Sequence, residues 1–342
     1  MKYKSVVVTK RGGPDVLKVT ENDLRPPLSG EVRVKILSAA VSLPDVEARY
    51  GRSPFAPRVP FLPGYAIVGV ADALGERKYP ARNGYPQVAV GDRVAALTVY
   101  GGYAEYIYLA EKQLIPVPAA LDPAEAVPLI LNYIVAYQTL HRRARVKAGE
   151  KVLIIGASGG IGTAFLQLGR LAGLKMYALA SAGKHAILRQ YGATPIDYHT
   201  QDFVAVIRQA EPQGLDAVFD GMGGDYIRRG YSLLGRGGRF VGYANPLSIP
   251  RTLKQLGQVV LFNLLPDGRS ASYYGTGASR LNMKPFLEDW AALFKLLEAG
   301  QIKPVIAAKF PILEAARANE LLESGQVVGN IVLLTPELLS EE

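Results

Sequence analysis

Lys151-Val-Leu-Ile-Ile-Gly-Ala-Ser-Gly-Gly-Ile-Gly162 is the stretch from which the rest of the chain can be read. Val152 to Ile155 is apolar and mostly β-branched, which suits a buried strand. A glycine-rich turn follows, and Thr163 to Ala172 continues as a helix. Strand, tight turn and helix form the context in which a G-x-G-x-x-G pattern cradles a dinucleotide. Here the pattern reads Ala157-x-Gly159-x-x-Gly162, with alanine in the first glycine's place. Gly159 lets the backbone approach a pyrophosphate that a Cβ would fend off, and Gly162 lets the helix pack closely on the strand. The helix N-terminus turns free N–H groups and the positive end of its dipole toward phosphate. The competing reading is a glycine turn with a structural role only.

A chain of 342 residues has room for about two domains and ample core. No cysteine is present, which excludes disulfides, thiolate-held zinc, iron–sulfur clusters and cysteine nucleophiles. The formal net charge of +9 gives a basic surface that attracts anionic cofactors. Nucleic acid is not an expected partner: Lys and Arg are scattered, with short clusters such as Arg142-Arg143 and Arg228-Arg229, and no nucleic-acid module signature is found. Met1-Lys-Tyr-Lys runs directly into strand-like Ser5 to Thr9, unlike a signal peptide. No run of about 18 apolar residues exists, so no membrane span and a cytoplasmic location are expected.

Residues 1 to about 125 are β-rich, with strand candidates Lys4–Thr9, Glu31–Val41, Tyr65–Ala73, Arg93–Leu97 and Ala104–Leu109. Such a run of short strands suggests a barrel-like domain. A helix at Pro128–Leu140 follows, and then strands and helices alternate from Val152 to Gly242, as in an α/β doubly wound parallel sheet. Gln258–Leu265 and Ser270–Tyr274 are read as further strands of that sheet. A helix over 284–299, a strand near 304–310, a helix over 313–323 and a strand at Asn330–Leu334 complete the chain.

With these segments in view, the chain resembles the medium-chain dehydrogenase/reductase superfamily, in its zinc-free quinone oxidoreductase branch. The resemblance rests on Gly12-Gly-Pro-Asp-Val-Leu17, Pro63-Gly64 with Gly69, Val90-Gly-Asp-Arg-Val94, Gly101-Gly-Tyr-Ala-Glu-Tyr106, Ala157-Ser-Gly-Gly-Ile-Gly162, Tyr191-Gly-Ala193, Phe219-Asp-Gly-Met-Gly-Gly224, Gly237-Gly-Arg-Phe-Val-Gly242 and Gly329-Asn-Ile-Val332. Each is weak alone; their order and spacing are specific. The resemblance implies a GroES-like β-barrel domain (1–125 with 283–342), a Rossmann domain (126–282), and an active site in the cleft between them.

Relatives with alcohol dehydrogenase activity hold a catalytic zinc through Cys or His. Here Ser42, in Val41-Ser-Leu-Pro-Asp45, stands where a cysteine would be, and Gly64-Tyr65-Ala66 replaces Gly-His-Glu. The only histidines, His141, His185 and His199, lie in or beside the Rossmann half. A metal site is therefore not expected. Without a Lewis acid nothing stabilises a developing alkoxide. Hydride addition to a quinone or an α,β-unsaturated carbonyl compound spreads charge as an enolate, which hydrogen-bond donors can stabilise.

A site for NAD places an acid at the end of the second strand, about 20 residues past the glycine turn. Here that strand ends Tyr177-Ala-Leu-Ala-Ser181-Ala-Gly-Lys184, with a hydroxyl and an ammonium instead. Ser181, Lys184 and Tyr198 match phosphate-binding positions of NADPH-using quinone reductases, and Asn330 is the matching C-terminal candidate. Lys184 as a merely solvated lysine is the alternative. NADPH is the expected cofactor.

Further cofactor candidates are Ser158, Gly159, Gly160 and Ile161 for the pyrophosphate, Gly221, Met222 and Gly223 after the fourth strand, Tyr243 after the fifth, and Asn132 near the nicotinamide. On the substrate side the resemblance offers Ser42 and Asp45, from a loop that borders the cleft in relatives. Asp45 as the cap of a short helix over 45–49 is the alternative. Glu47 and Ser53 fall where some relatives have pocket tyrosines, so Tyr50, Tyr100 and Tyr103 are candidates to replace them. With 19 tyrosines in the chain, plain packing is the competing role for each. The catalytic proton donor is not identified.

The leading expectation is an NADPH-dependent, zinc-free reductase of a small electrophile. The other is a non-catalytic NADPH-binding protein of the same fold, structural, vesicle-associated or RNA-binding. The resemblance also implies a homodimer through Rossmann edge strands, with Val259-Val-Leu-Phe262 as the apolar edge.

Overall fold

The first two strands, β1 (Lys2–Val8) and β2 (Leu17–Asp23), form an antiparallel ribbon. β2 escaped the sequence reading because Lys18, Glu21, Asn22 and Asp23 give it little apolar signal. In β3 (Glu31–Val41), Val32, Val34 and Ile36 are buried while Arg33 and Lys35 between them are less so, the two-residue period of a strand with one wet face. From Ser38 to Val41 both faces are buried, where the Ser38 hydroxyl donates to the Pro123 carbonyl at 2.7 Å. α1 (Leu43–Tyr50), β4 (Ile67–Leu74), β5 (Arg93–Ala96), β6 (Tyr106–Ala110), β7 (Ile115–Pro116) and α2 (Pro123–Pro128) follow. The computed structural model describes every residue except 53–55, 78–86, 244–248, 278–281 and 341–342.

The helical run continues through α3 (Ile134–Gln138), flanked by π-helical turns at Leu129–Tyr133 and Thr139–Ala144. The chain divides here, between Leu131 and Asn132, into two compact units, and it returns to the first at Asn282. In the second unit β8 (Lys151–Ile155), α4 (Gly160–Leu171), β9 (Lys175–Ala180), α5 (His185–Gln190), β10 (Thr194–Asp197), α6 (Phe203–Ala210), β11 (Leu215–Asp220), α7 (Asp225–Tyr231) and β12 (Leu234–Gly242) alternate. The sheet is parallel with order β10-β9-β8-β11-β12 and a last strand, β13 (Ser270–Tyr273), beside β12. That is the doubly wound order, whose switch point lies between β8 and β11. Leu153, Val218, Phe240 and Ile207 lie in its core.

One expected strand is not there. Gln258–Leu265 belongs to a helix, α8 (Ile249–Leu264), so it is neither a strand nor the sheet edge; β13 is the edge. The β-branched run Val259-Val-Leu-Phe262 misleads because a short apolar run carries no decisive period. In the fold Phe262 is buried and Val259 packs with it, three residues apart, while Val260 and Leu261 are exposed.

After α9 (Lys284–Glu298) the chain adds β14 (Ile306–Pro311), α10 (Ala315–Glu323) and β15 (Asn330–Leu334) to the first unit. β15 pairs antiparallel with β3, Ile331 opposite Val41, and gives a sheet of order β14-β15-β3-β4-β5-β7, with β6 also on β3. Ile36, Ile67, Val94 and Leu333 lie in its core.

Candidate functional site

In the second unit, the phosphate turn needs glycine at two places for the chain's own sake. Gly156 has φ +86°, a left-handed conformation that favours glycine. It does the backbone work one position before the alanine that fills the fingerprint's first slot. A Cβ on Gly162 would lie 2.3 Å from the Gly156 oxygen and 2.4 Å from the Ala157 carbonyl carbon. Gly159 differs: its φ is −78°, and a Cβ there would meet nothing within 4 Å. The fold does not require glycine at 159, but a pyrophosphate lying on the turn would. Gly159 caps α4, whose first-turn N–H groups have no intrahelical acceptor and no acid among them. Thr163 closes the turn, its N–H donating to the Gly159 carbonyl at 2.8 Å and its hydroxyl to that of Gly160 at 3.1 Å.

The other candidates of this unit follow the carboxyl ends of neighbouring strands. Ser158, Gly160 and Ile161 follow β8; Ser181 and Lys184 follow β9; Tyr198, 43% exposed, follows β10. Burial pulls the Lys184 ammonium below the usual lysine range. After β11, Gly221 faces the Tyr243 ring, which a Cβ would meet at 2.7 Å. Tyr243 also lies 5.3 Å from Phe165, and Phe165 stacks on Phe219 at 4.9 Å, so the aromatic column braces α4 on the sheet under the turn. Met222 is exposed, and Gly223 sits at φ +71°.

Asp220 organises that turn and was not singled out from sequence. Its buried carboxylate accepts from the Met222 N–H at 2.8 Å and the Gly223 N–H at 3.0 Å. Burial raises its pKa, and those two N–H groups oppose the rise. The available signal was an acid ending a strand just before Gly221-Met-Gly-Gly224. Asn132 is half-buried and opens this unit. Asn330 belongs to the other unit, on β15, where its amide donates to the Val305 carbonyl at 2.9 Å.

In the first unit the substrate-side candidates form a buried polar knot. Ser42, not Asp45, is the N-cap of α1, and the helix begins at Leu43 rather than at 45. Asp45 sits at the third helical position and reaches back, accepting the Ser42 hydroxyl at 2.6 Å and the Ser42 N–H at 3.2 Å. Its other oxygen accepts the Gly64 N–H at 2.8 Å, and the buried Tyr103 phenol donates to the oxygen that holds Ser42, at 3.3 Å. Burial pushes Asp45 up to about 6, against those four donors. Burial also raises the Tyr103 phenol.

Tyr50 donates to Glu323 at 2.9 Å beneath the Arg49 and Arg52 guanidiniums, and Tyr100 packs edge-on to Phe61 at 5.7 Å. Glu47 is buried on α1, and Ser53 lies outside the described residues. Among the described residues no group of three or more His, Cys, Asp or Glu is placed to hold a metal ion.

One unit thus carries a glycine-rich turn at the switch point of a doubly wound sheet, the other the Ser42–Asp45 knot, and the relatives that follow make the chain an oxidoreductase. Residues 28–119 match the alcohol dehydrogenase GroES-like domain, and residues 191–333 match a zinc-binding dehydrogenase family model. The chain is 31% identical to the quinone oxidoreductase of Lama guanicoe, over 97% of each. It is also 31% identical to the human synaptic vesicle membrane protein VAT-1 homolog, over 97% of this chain and 86% of that protein. A mycobacterial protein solved with NADPH superposes with a TM-score of 0.81 at 25% identity, covering 97% of this chain and 99% of the other. The chain belongs to the medium-chain dehydrogenase/reductase superfamily, in its quinone oxidoreductase branch.

Proposed function

We propose that this chain is a cytoplasmic, zinc-independent reductase that uses NADPH to reduce quinones or α,β-unsaturated carbonyl compounds. The observation that carries the cofactor choice is the end of β9, where Ser181 and the partly desolvated Lys184 stand in place of an acid. A carboxylate there would bind ribose hydroxyls and repel a 2′-phosphate; a hydroxyl and an ammonium favour one. The α4 N-terminus and the open space over Gly159 suit the pyrophosphate. When bound, the nicotinamide supplies hydride.

The zinc-free reading draws support from the first unit. Ser42 and Tyr65 occupy the ligand-bearing positions, and the Ser42 hydroxyl is spent on Asp45. With Ser and Tyr in place of metal ligands, a conjugated acceptor, whose carbonyl spreads the charge as an enolate, is favoured over an unactivated alcohol, whose alkoxide needs a Lewis acid. Titration of intrinsic fluorescence with NADPH and NADH tests this: NADPH binds at least tenfold tighter if the reading holds, and equal affinities defeat it. The likeness to the VAT-1 homolog motivates a second reading, a vesicle-associated protein that binds NADPH without turnover. NADPH binding with no oxidation across a panel of quinones, enals and enones would favour that one.

A further inference from the structure

Within the second unit, a pocket of about 400 Å³ opens at the amino ends of β11 and β12, on the edge of the sheet opposite the phosphate turn. That is room for a small ligand. Gly214 and Gly235 give it a wall of bare backbone: a Cβ on Gly214 would lie 2.5 Å from the Gly235 nitrogen. The β11–β12 pairing slips beside it. Leu215 faces Leu234, but Ala217 faces Arg239, so β12 bulges over 235–238 and carries Arg236 to the pocket.

Three arginines line this pocket, each from a different element: Arg208 from α6, Arg236 from the bulge and Arg269 from the turn into β13. Among the described residues the Arg208 and Arg236 guanidiniums make no ion pair. Of the lining residues only Glu211 is acidic, and Lys151 at 2.5 Å and Lys175 at 2.6 Å more than neutralise it. Arg269 gives a second, independent sign. Its Nε is buried and has no hydrogen-bond partner among the described residues. Asp267 lies 3.8 Å from it, beyond hydrogen-bond reach, and accepts the Arg269 main-chain N–H at 2.9 Å and the Tyr231 phenol at 3.3 Å instead. A buried charged donor without an acceptor is costly, and in a pocket wall it marks a place for an anion.

We propose that this pocket binds a small molecule carrying a phosphate monoester, with the phosphate held among Arg208, Arg236 and Arg269. A phosphate dianion matches the planar guanidinium fork, taking two parallel N–H bonds from one side chain; chloride has no such geometry. The pocket volume leaves space beside the phosphate for a short carbon body. This site is distinct from that of the nucleotide. Its residues come before β11, β12 and β13 or at their starts, whereas the phosphate turn and Ser181 follow strand ends. Dinucleotides bind at the carboxyl ends of such sheets.

Phosphate also stabilises proteins by exclusion from their surface, so binding is read by isothermal titration rather than by melting. The full chain is titrated with inorganic phosphate and with α-glycerophosphate at constant ionic strength, against chloride. Both should bind wild type. Arg208→Gln with Arg236→Gln should weaken both about tenfold or more, the loss of two charge-assisted contacts. Arg228→Gln, whose guanidinium pairs with Asp225 and does not line the pocket, should bind as wild type does. Both substituted arginines are exposed, so the double variant should melt with wild type. If it does not fold, Arg269→Lys, which keeps the charge and removes the buried Nε donor, should show the loss instead. Binding no stronger than that of chloride overturns the proposal. So does wild type that takes inorganic phosphate but rejects α-glycerophosphate. Affinity lost in Lys184→Ala and kept in the arginine variants would assign the phosphate to the nucleotide site and overturn it too.

Discussion

The Asp45 carboxylate accepts the Gly64 N–H at 2.8 Å, across nineteen residues of sequence. With the Ser42 hydroxyl on its other oxygen, it ties together the two loops in which zinc-using relatives place their ligands. Replacing Asp45 by alanine leaves the Gly64 N–H and two hydroxyls without their acceptor in a dry site. The expected cost is about 2–4 kcal/mol in urea unfolding at neutral pH, with Asn recovering most of it.

Asp45 also predicts a pH dependence. Burial raises it from 3.8 to about 6, so the fold favours its protonated form. The stability linked to that proton is complete below pH 3.8 and is lost as pH rises through 6. Wild type should therefore gain on Asp45→Asn as pH falls from 7 to 4, by up to ~3 kcal/mol. A stability difference that stays flat over this range would rule out titration of this carboxyl there.

Glu211 has the opposite sign. It is buried, which alone would raise its pKa, but Lys151, Lys175 and the Tyr177 phenol hold it down to about 2. Lys175 donates to it at 2.6 Å and Tyr177 at 2.7 Å. Its contribution is present above pH 4.5 and lost as pH falls toward 2. Both lysines are partly exposed and solvent-screened, so Glu211→Gln should cost about 1–2 kcal/mol at pH 7 and much less at pH 3 in thermal melts.

Gly159 and Gly162 separate fold from cofactor. Gly162→Ala places a methyl against backbone and should destabilise the second unit by about 1–3 kcal/mol. Gly159→Ala should melt like wild type yet bind NADPH at least tenfold more weakly. Unchanged affinity in Gly159→Ala would mean that no phosphate lies on that turn.

Lys184→Ala should weaken NADPH about 10–100-fold, the worth of one charge-assisted contact to phosphate, and leave NADH nearly unchanged. Equal losses for the two nucleotides would remove Lys184 from the 2′-phosphate.

Most of the fold was legible because its segments carry one consistent signal. β3 and β15 start and stop where their alternation and glycines place them, and the β8-turn-α4 unit follows from its glycines. β2 was missed because its polar face leaves little apolar period, and in α8 the β-branched run Val259-Val-Leu-Phe262 is too short to carry a decisive one. That the second-unit candidates follow the carboxyl ends of strands was legible because the alternation of strands and helices orders that sheet. Asp220 was not, because a carboxylate that caps its own turn has no fixed sequence partner.

Metal-free, NADPH-dependent reduction is open to a direct test. The direct measurement is the rate of NADPH oxidation at 340 nm by a 1,4-quinone and by an enal, before and after exhaustive chelation. At least one acceptor should be turned over at a rate that chelation leaves unchanged and that NADH does not match. Activity abolished by the chelator and restored by zinc would contradict it.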